Sequence, residues 1–176
     1  MPDKGRLAAQ LDELDRAIDD LERYGRTWSF DDWVTDGDRR RMVLNAAYTA
    51  AQACIDIAAR LVADMGKDRP EANREYFPPL AEAGLIDRAT AGQLARWAGL
   101  RNVVAHLYWK LHLEEIDAAM RGDLGPLRAF RAAAARVVAP RRPSGPSTVR
   151  EPRVRYRKTP ARPASSRRAR KPKADC

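Results

Sequence analysis

Ten consecutive residues, Gly99-Leu100-Arg101-Asn102-Val103-Val104-Ala105-His106-Leu107-Tyr108, bring an arginine, an amide, an imidazole and a phenol within eight positions. A guanidinium suits phosphate, through charge-assisted and often bidentate hydrogen bonds. An imidazole titrating near neutrality can take the proton of a ribose 2′-hydroxyl or return one to a leaving 5′-oxygen. Together they fit phosphodiester cleavage. On a regular helix Asn102 and His106 lie four apart on one face, so the amide can bond a ring nitrogen and set the tautomer. Arg101 and Tyr108, seven apart, also share a face. Arg101 and His106 are five apart, about 140° around the helix, which one regular helix does not bring together well. Either the helix ends near His106 or a second copy of the chain completes the site. Two Arg–His pairs, one from each copy, supply base, acid and transition-state charge stabilisation without a metal. The plain alternative is a half-buried histidine satisfied by Asn102 beside a surface arginine.

Helices must position these groups. Leu7, Leu11, Leu14, Ile18 and Leu21 repeat at 4-3-4-3 spacing, a narrow apolar stripe that predicts an outer helix over residues 4–23. Residues 25–37 read as a loop. Its Trp28, Phe30 and Trp33 either pack onto a bundle end, the ordinary outcome, or stack on RNA bases. A second helix, capped by Asp36 or Asp38, runs to about Met65, before Gly66. Two adjacent apolar rows, one through Val43, Ala47, Cys54 and Leu61 and one through Leu44, Tyr48, Ile55 and Val62, make it the central helix. A third row, Asn45, Thr49, Gln52 and Asp56, is polar but lightly charged. It suits a cleft wall from which Asp56 can orient His106 or Arg101, or it simply faces solvent.

Residues 76–83 form a short helix around Pro78-Pro79, ended by Gly84. Asp87 caps the helix that leads through Leu94 and Ala98 into the motif. Trp97, Leu100 and Trp109 supply bulk near the site or a dimer seam, and His112 reads as a surface residue. Residues 113–120 make a short helix, and Asp123, after Gly122, caps a last one to about residue 138. Strand signals are absent. The expected fold is an all-α, antiparallel bundle of four main helices plus short ones.

Tyr76-Phe77, the run Leu80-Ala81-Glu82-Ala83-Gly84-Leu85-Ile86, Leu94 and the Gly99–Tyr108 segment resemble the HepT family of HEPN ribonuclease toxins. That family's signature is Arg-x4-His-x-Tyr, usually with Asn after the Arg. Upstream, Ala51-Gln52-Ala53-Cys54-Ile55-Asp56-Ile57-Ala58 is similar to the family's long second helix. The resemblance spans about residues 39–130. It implies an all-helical homodimer with its cleft at the interface, cutting RNA without a metal or other cofactor. It also implies a type VII toxin–antitoxin system, whose minimal nucleotidyltransferase antitoxin transfers AMP to the motif tyrosine. Carried over, Arg101 and His106 are the catalytic pair and Tyr108 accepts adenylate; the supporting roles of Asn102 and Asp56 rest on their spacing and not on the resemblance. A bulky anionic adenylate at the mouth of a basic cleft would occlude it and repel RNA. The plain alternative for Tyr108 is an interface aromatic with its hydroxyl in water.

Charge divides the 176 residues in two. The whole chain carries 33 Lys plus Arg against 24 acids; residues 140–176 hold 13 and 2 of these, leaving 20 and 22 for residues 1–139. The basic excess therefore belongs to the tail, and the high pI does not argue that the helical domain binds nucleic acid. The tail also holds seven of the 12 prolines and is expected to be disordered. Tyr156 sits within Arg153-Val154-Arg155-Tyr156-Arg157-Lys158, so the tail reads either as a non-specific RNA tether or as a solubilising segment. It is a departure from the family, and the resemblance assigns it no role. The two cysteines, Cys54 and Cys176, give no disulfide framework or metal site, which points to a reducing, cytoplasmic setting. No apolar run is long enough to span a membrane, and the charged N-terminal helix is not a signal sequence. Two other readings stay open. One is a non-catalytic HEPN-like module that binds RNA or a nucleotidyltransferase. The other is a helical dimer whose basic tail makes it a nucleic-acid scaffold.

Overall fold

The computed structural model describes residues 4–106 and 113–138, which belong to the unit Met1–Arg141. Seven α-helices follow one another: α1 (Lys4–Thr27), α2 (Phe30–Thr35), α3 (Gly37–Asp64), α4 (Phe77–Glu82), α5 (Arg88–His106), α6 (Leu113–Arg121) and α7 (Gly125–Val138). A 3-10 turn, Asn73–Tyr76, precedes α4. Among the described residues there is no strand, and α1, α3, α5 and α7 are the main helices of an antiparallel bundle. No helix among them is long and apolar enough to cross a membrane.

The apolar spacing explains who packs on whom. The α1 stripe through Leu7, Leu11, Leu14, Ile18 and Leu21 is buried, chiefly against α3, with α7 on its flank. Arg128 reaches Asp19 and Glu22 while Arg131 reaches Asp15. Later residues of α7 thus meet earlier residues of α1, and the two run antiparallel. On α3 both apolar rows are buried, from Val43 and Leu44 to Leu61 and Val62, as a central helix requires. Each large side chain wholly withdrawn from water there contributes about 1.5–3 kcal/mol. Cys54 sits among them, fully buried, and burial pushes its thiol pKa up, so it is a small core residue rather than a nucleophile.

The ends of α3 follow its sequence signals. Asp36 is the N-cap, its carboxylate accepting the amides of Asp38 at 2.8 Å and Arg39 at 3.1 Å. At the other end Gly66 adopts φ +70°, a left-handed closure that glycine makes without strain.

Residues 25–37 correct the expectation of a loop. The α1 stripe continues through buried Tyr24, and Trp28 stacks on that ring at 4.6 Å, so the helix extends to Thr27. Ser29 then opens α2 with a capping box: its hydroxyl accepts the Asp32 amide, and the Asp32 carboxylate accepts the Ser29 amide. Trp33 is fully buried and donates its indole N–H to Asp117 of α6 at 2.9 Å. For Trp33 the packing alternative prevails over base stacking.

Candidate active site

The helix that carries the motif starts at a cap. The Asp87 carboxylate accepts the Thr90 backbone amide at 2.6 Å. That bond, with help from the Thr90 hydroxyl, holds Asp87 below the usual carboxylate range. From there Ala91, Leu94, Ala98 and Val104 form the inward row of α5, joined by Trp97. Trp97 therefore belongs to the core. Arg101 falls three residues after Ala98 and three before Val104, so it occupies a position on the buried row where an apolar residue would be ordinary. A guanidinium there must find acceptors, and α3 supplies them.

Arg101 Nε donates to Gln52 Oε1 at 2.7 Å. Its Nη2 lies 3.4 Å from the Tyr48 hydroxyl, and the guanidinium carbon stands 5.3 Å from the centre of the Tyr48 ring, within cation–π range. Nη1 lies 3.4 Å from the Asn102 side-chain oxygen. All three partners are neutral. Among the described residues no ion pair cancels the Arg101 charge. Behind Gln52, its Nε2 donates to Asp56 Oδ1 at 2.8 Å. Tyr48, Gln52 and Asp56, four residues apart in turn, form one row along α3. Arg101, Tyr48 and Gln52 are half-buried, whereas Asn102 and Asp56 are exposed.

The expected site residues divide accordingly. Arg101 and Asn102 are together. Asp56 comes to Arg101 through Gln52 and not directly. The backbone of α5 is helical from Arg88 through His106, so Arg101 and His106 share one helix, about 140° apart around its axis. The His106 side chain lies outside the described residues, as do Tyr108, Trp109, His112 and the basic tail. Sequence reading missed Tyr48, which it left in an apolar row, and placed Gln52 only in the polar row of a cleft wall, without a link to Arg101. The signal for both was the 48, 52, 56 spacing opposite an arginine on a buried row.

Among the described residues no three His, Cys, Asp or Glu side chains gather as a metal-holding group. A cleft of about 550 Å³ opens between α5 and α6, lined by Arg96, Trp97, Leu100, Glu115 and Asp123 among others. None of the Arg101 cluster lines it, so the cluster and this cleft are separate features. The cluster itself offers a fixed, half-exposed cation with uncancelled charge, which suits a phosphate group.

Known proteins are similar to this chain in sequence and in fold. An RNase, provisionally so named, of Archaeoglobus fulgidus is 35% identical over 107 residues, 60% of this chain and 80% of that protein. The mRNA nuclease HepT of Shewanella oneidensis is 35% identical over 79 residues, 45% of this chain and 59% of that protein. The fold is similar to that of a tri-AMPylated Shewanella oneidensis HEPN toxin in complex with an MNT antitoxin. The TM-score is 0.66 at 23% identity, covering 77% of this chain and 99% of that one. It is also similar to a cytosolic protein of unknown function from Bacillus subtilis, with a TM-score of 0.66 at 10% identity, covering 77% and 90%. At such identities the structural likeness concerns the fold. The sequence match carries the rest: the ribonuclease HepT-like family model spans residues 14–134, from the second half of α1 through the Arg101–His106 segment and into α7, and the chain belongs to that family.

Proposed function

We propose that the chain is the toxin of a type VII toxin–antitoxin pair, a metal-independent endoribonuclease working as a cytoplasmic homodimer. His106 of one copy takes the proton from a ribose 2′-hydroxyl. The 2′-oxygen attacks the adjacent phosphorus, the P–O5′ bond breaks, and the 5′-oxygen leaves with a proton from the second copy's imidazole. The products are a 2′,3′-cyclic phosphate and a 5′-hydroxyl. Arg101 binds the phosphate and stabilises the charge of the phosphorane. Asn102 assists, being four residues before His106 and in contact with Arg101.

One observation carries the reading. Arg101 occupies an inward position of α5, yet its side-chain partners Gln52, Tyr48 and Asn102 are all neutral. A structural arginine at such a position is ordinarily matched to a carboxylate; one that keeps its charge is suited to an anionic ligand. The angle of about 140° between Arg101 and His106 on one helix supports a site completed by a second copy. Membership of the ribonuclease HepT-like family and the Shewanella oneidensis relative named as an mRNA nuclease support RNA as substrate.

The regulatory half rests on relatives solved as toxin–antitoxin complexes, one of them tri-AMPylated. In this reading the Tyr108 phenol oxygen attacks the α-phosphorus of ATP on a nucleotidyltransferase antitoxin. Pyrophosphate leaves, the phenol proton passes to solvent, and the new phosphodiester blocks the cleft. Residues 140–176 form a separate basic segment that adds salt-sensitive, sequence-independent phosphate binding. The test is RNA cleavage by purified wild type and His106→Ala, followed by intact mass after incubation with ATP, Mg²⁺ and the antitoxin. Cleavage lost in His106→Ala with the fold intact, and an adenylate adduct lost in Tyr108→Phe, are the expected results. Undiminished cleavage by His106→Ala would refute the mechanism.

A further inference from the structure

The contact between Arg101 and Gln52 has a property that an ordinary salt bridge lacks. A carboxylate at position 52 would hold the guanidinium more strongly, but it would also cancel the charge. An amide oxygen holds Nε without cancelling it. The amide, however, has two ends of opposite character and can rotate by half a turn. Turned the wrong way, it presents NH2 to the Arg101 Nε–H, donor against donor.

Asp56 resolves that ambiguity. Its carboxylate only accepts, so it demands the amide nitrogen of Gln52, and the 2.8 Å bond from Nε2 meets the demand. Arg101 Nε–H only donates, so it demands the amide oxygen, and the 2.7 Å bond meets that. The two requirements sit at opposite ends of one amide and agree on one orientation. The spacing makes this possible, because Gln52 and Asp56 are one turn apart on α3.

The same contacts fix which part of the guanidinium faces outward. Nε and Nη2 form one edge, and Gln52 and Tyr48 lie on it, the latter at the longer distance of 3.4 Å. With Asn102 near Nη1, three of the five N–H donors are engaged among the described residues. One N–H on Nη1 and one on Nη2 remain, enough for a bidentate grip on a phosphate.

We infer that Gln52 is a positioning residue for Arg101, its amide set by Asp56, so that the arginine is immobilised with its charge intact and its Nη1–Nη2 edge presented to a phosphate. The inference rests on the reading of Arg101 as a phosphate ligand. It is tested on the full chain by the solvent exchange of the Arg101 Nε–H resonance, alongside steady-state cleavage of an RNA oligonucleotide. Gln52→Ala should accelerate that exchange and lower kcat about tenfold, with a smaller change in KM. Asp56→Asn, whose own amide can turn to offer either end, no longer demands the Gln52 nitrogen and should move exchange and kcat part of the way towards Gln52→Ala. Gln52→Glu should keep the exchange slow while raising KM, because the tether then cancels the charge. Unaltered Nε–H exchange in Gln52→Ala overturns the proposal. So does a tenfold kcat loss that persists when Gln52→Ala is added to Arg101→Ala. Wild-type protein that shows the exchange pattern but cuts no RNA would refute the ribonuclease reading and leave the positioning device standing.

Discussion

Arg101 and Arg121 each engage three partners, yet they do opposite things. Arg121 gives Nε to Asp117 at 2.8 Å, Nη1 to the Gly25 carbonyl at 2.6 Å and Nη2 to the Trp28 carbonyl at 2.7 Å. The last carbonyls of α1 lack helical partners of their own and favour a cation. Asp117 also accepts the buried Trp33 indole. Burial alone would raise the Asp117 pKa, but the bonds from Arg121 and Trp33 outweigh it and hold the carboxyl below its usual range. Arg121 is thus a cross-link between α6, α2 and the end of α1, with its charge cancelled. Arg101 is held by an amide, a phenol and a neighbouring amide, so its charge is kept. The chemical identity of an arginine's partners, more than their number, separates a structural arginine from one available to a ligand.

The largest expected effect tests that separation directly. His106→Ala should lower RNA cleavage by about 10²–10⁴-fold, the range of a general base. Arg101→Ala should lower it by about 10²–10³-fold, as for loss of a charge-stabilising donor. Neither should move the melting temperature much. Arg101→Lys should fall nearly as far, since an ammonium lacks the planar fork. Initial rates on an RNA oligonucleotide with thermal melts in parallel check this. An Arg101→Ala protein that unfolds while still cutting RNA would reverse the comparison.

Arg121→Ala is the mirror image. It strips two carbonyls and Asp117 of a donor and leaves the carboxylate half-satisfied beside Trp33. A loss of about 2–3 kcal/mol in denaturant unfolding is expected, with the cleavage rate per folded molecule unchanged. Trp33→Phe alone should reproduce part of the same loss, because it removes the other donor to Asp117. If Arg121→Ala abolished cleavage in fully folded protein, the cross-link would have to be part of the site.

Much of this was legible in the sequence. The α1 stripe, the two rows of α3 and the caps Asp36 and Asp87 follow from periodicity and side-chain chemistry. The Arg101–His106 segment stood out by residue type alone. What stayed hidden depended on partners far apart in sequence. Nothing local pairs Arg121 with Gly25 and Trp28, or Arg101 with Gln52 and Tyr48. The helix α2 was a different kind of miss. Its Ser29–Asp32 capping box is local, but a loop reading of three nearby aromatics obscured it. Tyr48 was hidden for a physical reason too: its ring continues an apolar row while its hydroxyl serves a polar one.

Smaller effects sharpen the comparison at the helix that bears Arg101. Asp87→Ala should lower the melting temperature by a few degrees through loss of the α5 cap. The Asp87 carboxylate is held below its ordinary value of 3.8, first by the Thr90 amide. A depressed folded-state pKa contributes stability above the unfolded value, and that contribution is lost as pH falls through the folded value. The gap between wild type and Asp87→Ala should therefore be full near neutrality and begin to close below about pH 4. Melts from pH 3 to 7 check the sign. A gap that widened on acidification would mean that the cap works without its charge.

The smallest effect belongs to a third arginine. Arg128 spans Asp19 and Glu22, both at 2.9 Å, and so has two carboxylates where Arg121 has one. By counting charges it should contribute more. But Asp19 is 67% exposed where Asp117 is 15% exposed, and among the described residues no backbone carbonyl depends on Arg128. Water solvates the separated groups nearly as well as they solvate each other, so Arg128→Ala should cost under about 0.5 kcal/mol. What remains should fade in 1 M salt, where screening acts over about 3 Å, while the Arg121→Ala loss should persist. Unfolding of both variants at low and high salt separates the cases. An Arg128→Ala loss as large as that of Arg121→Ala, and equally insensitive to salt, would mean that charge cancellation alone makes an arginine structural, whatever the solvent access of its partners.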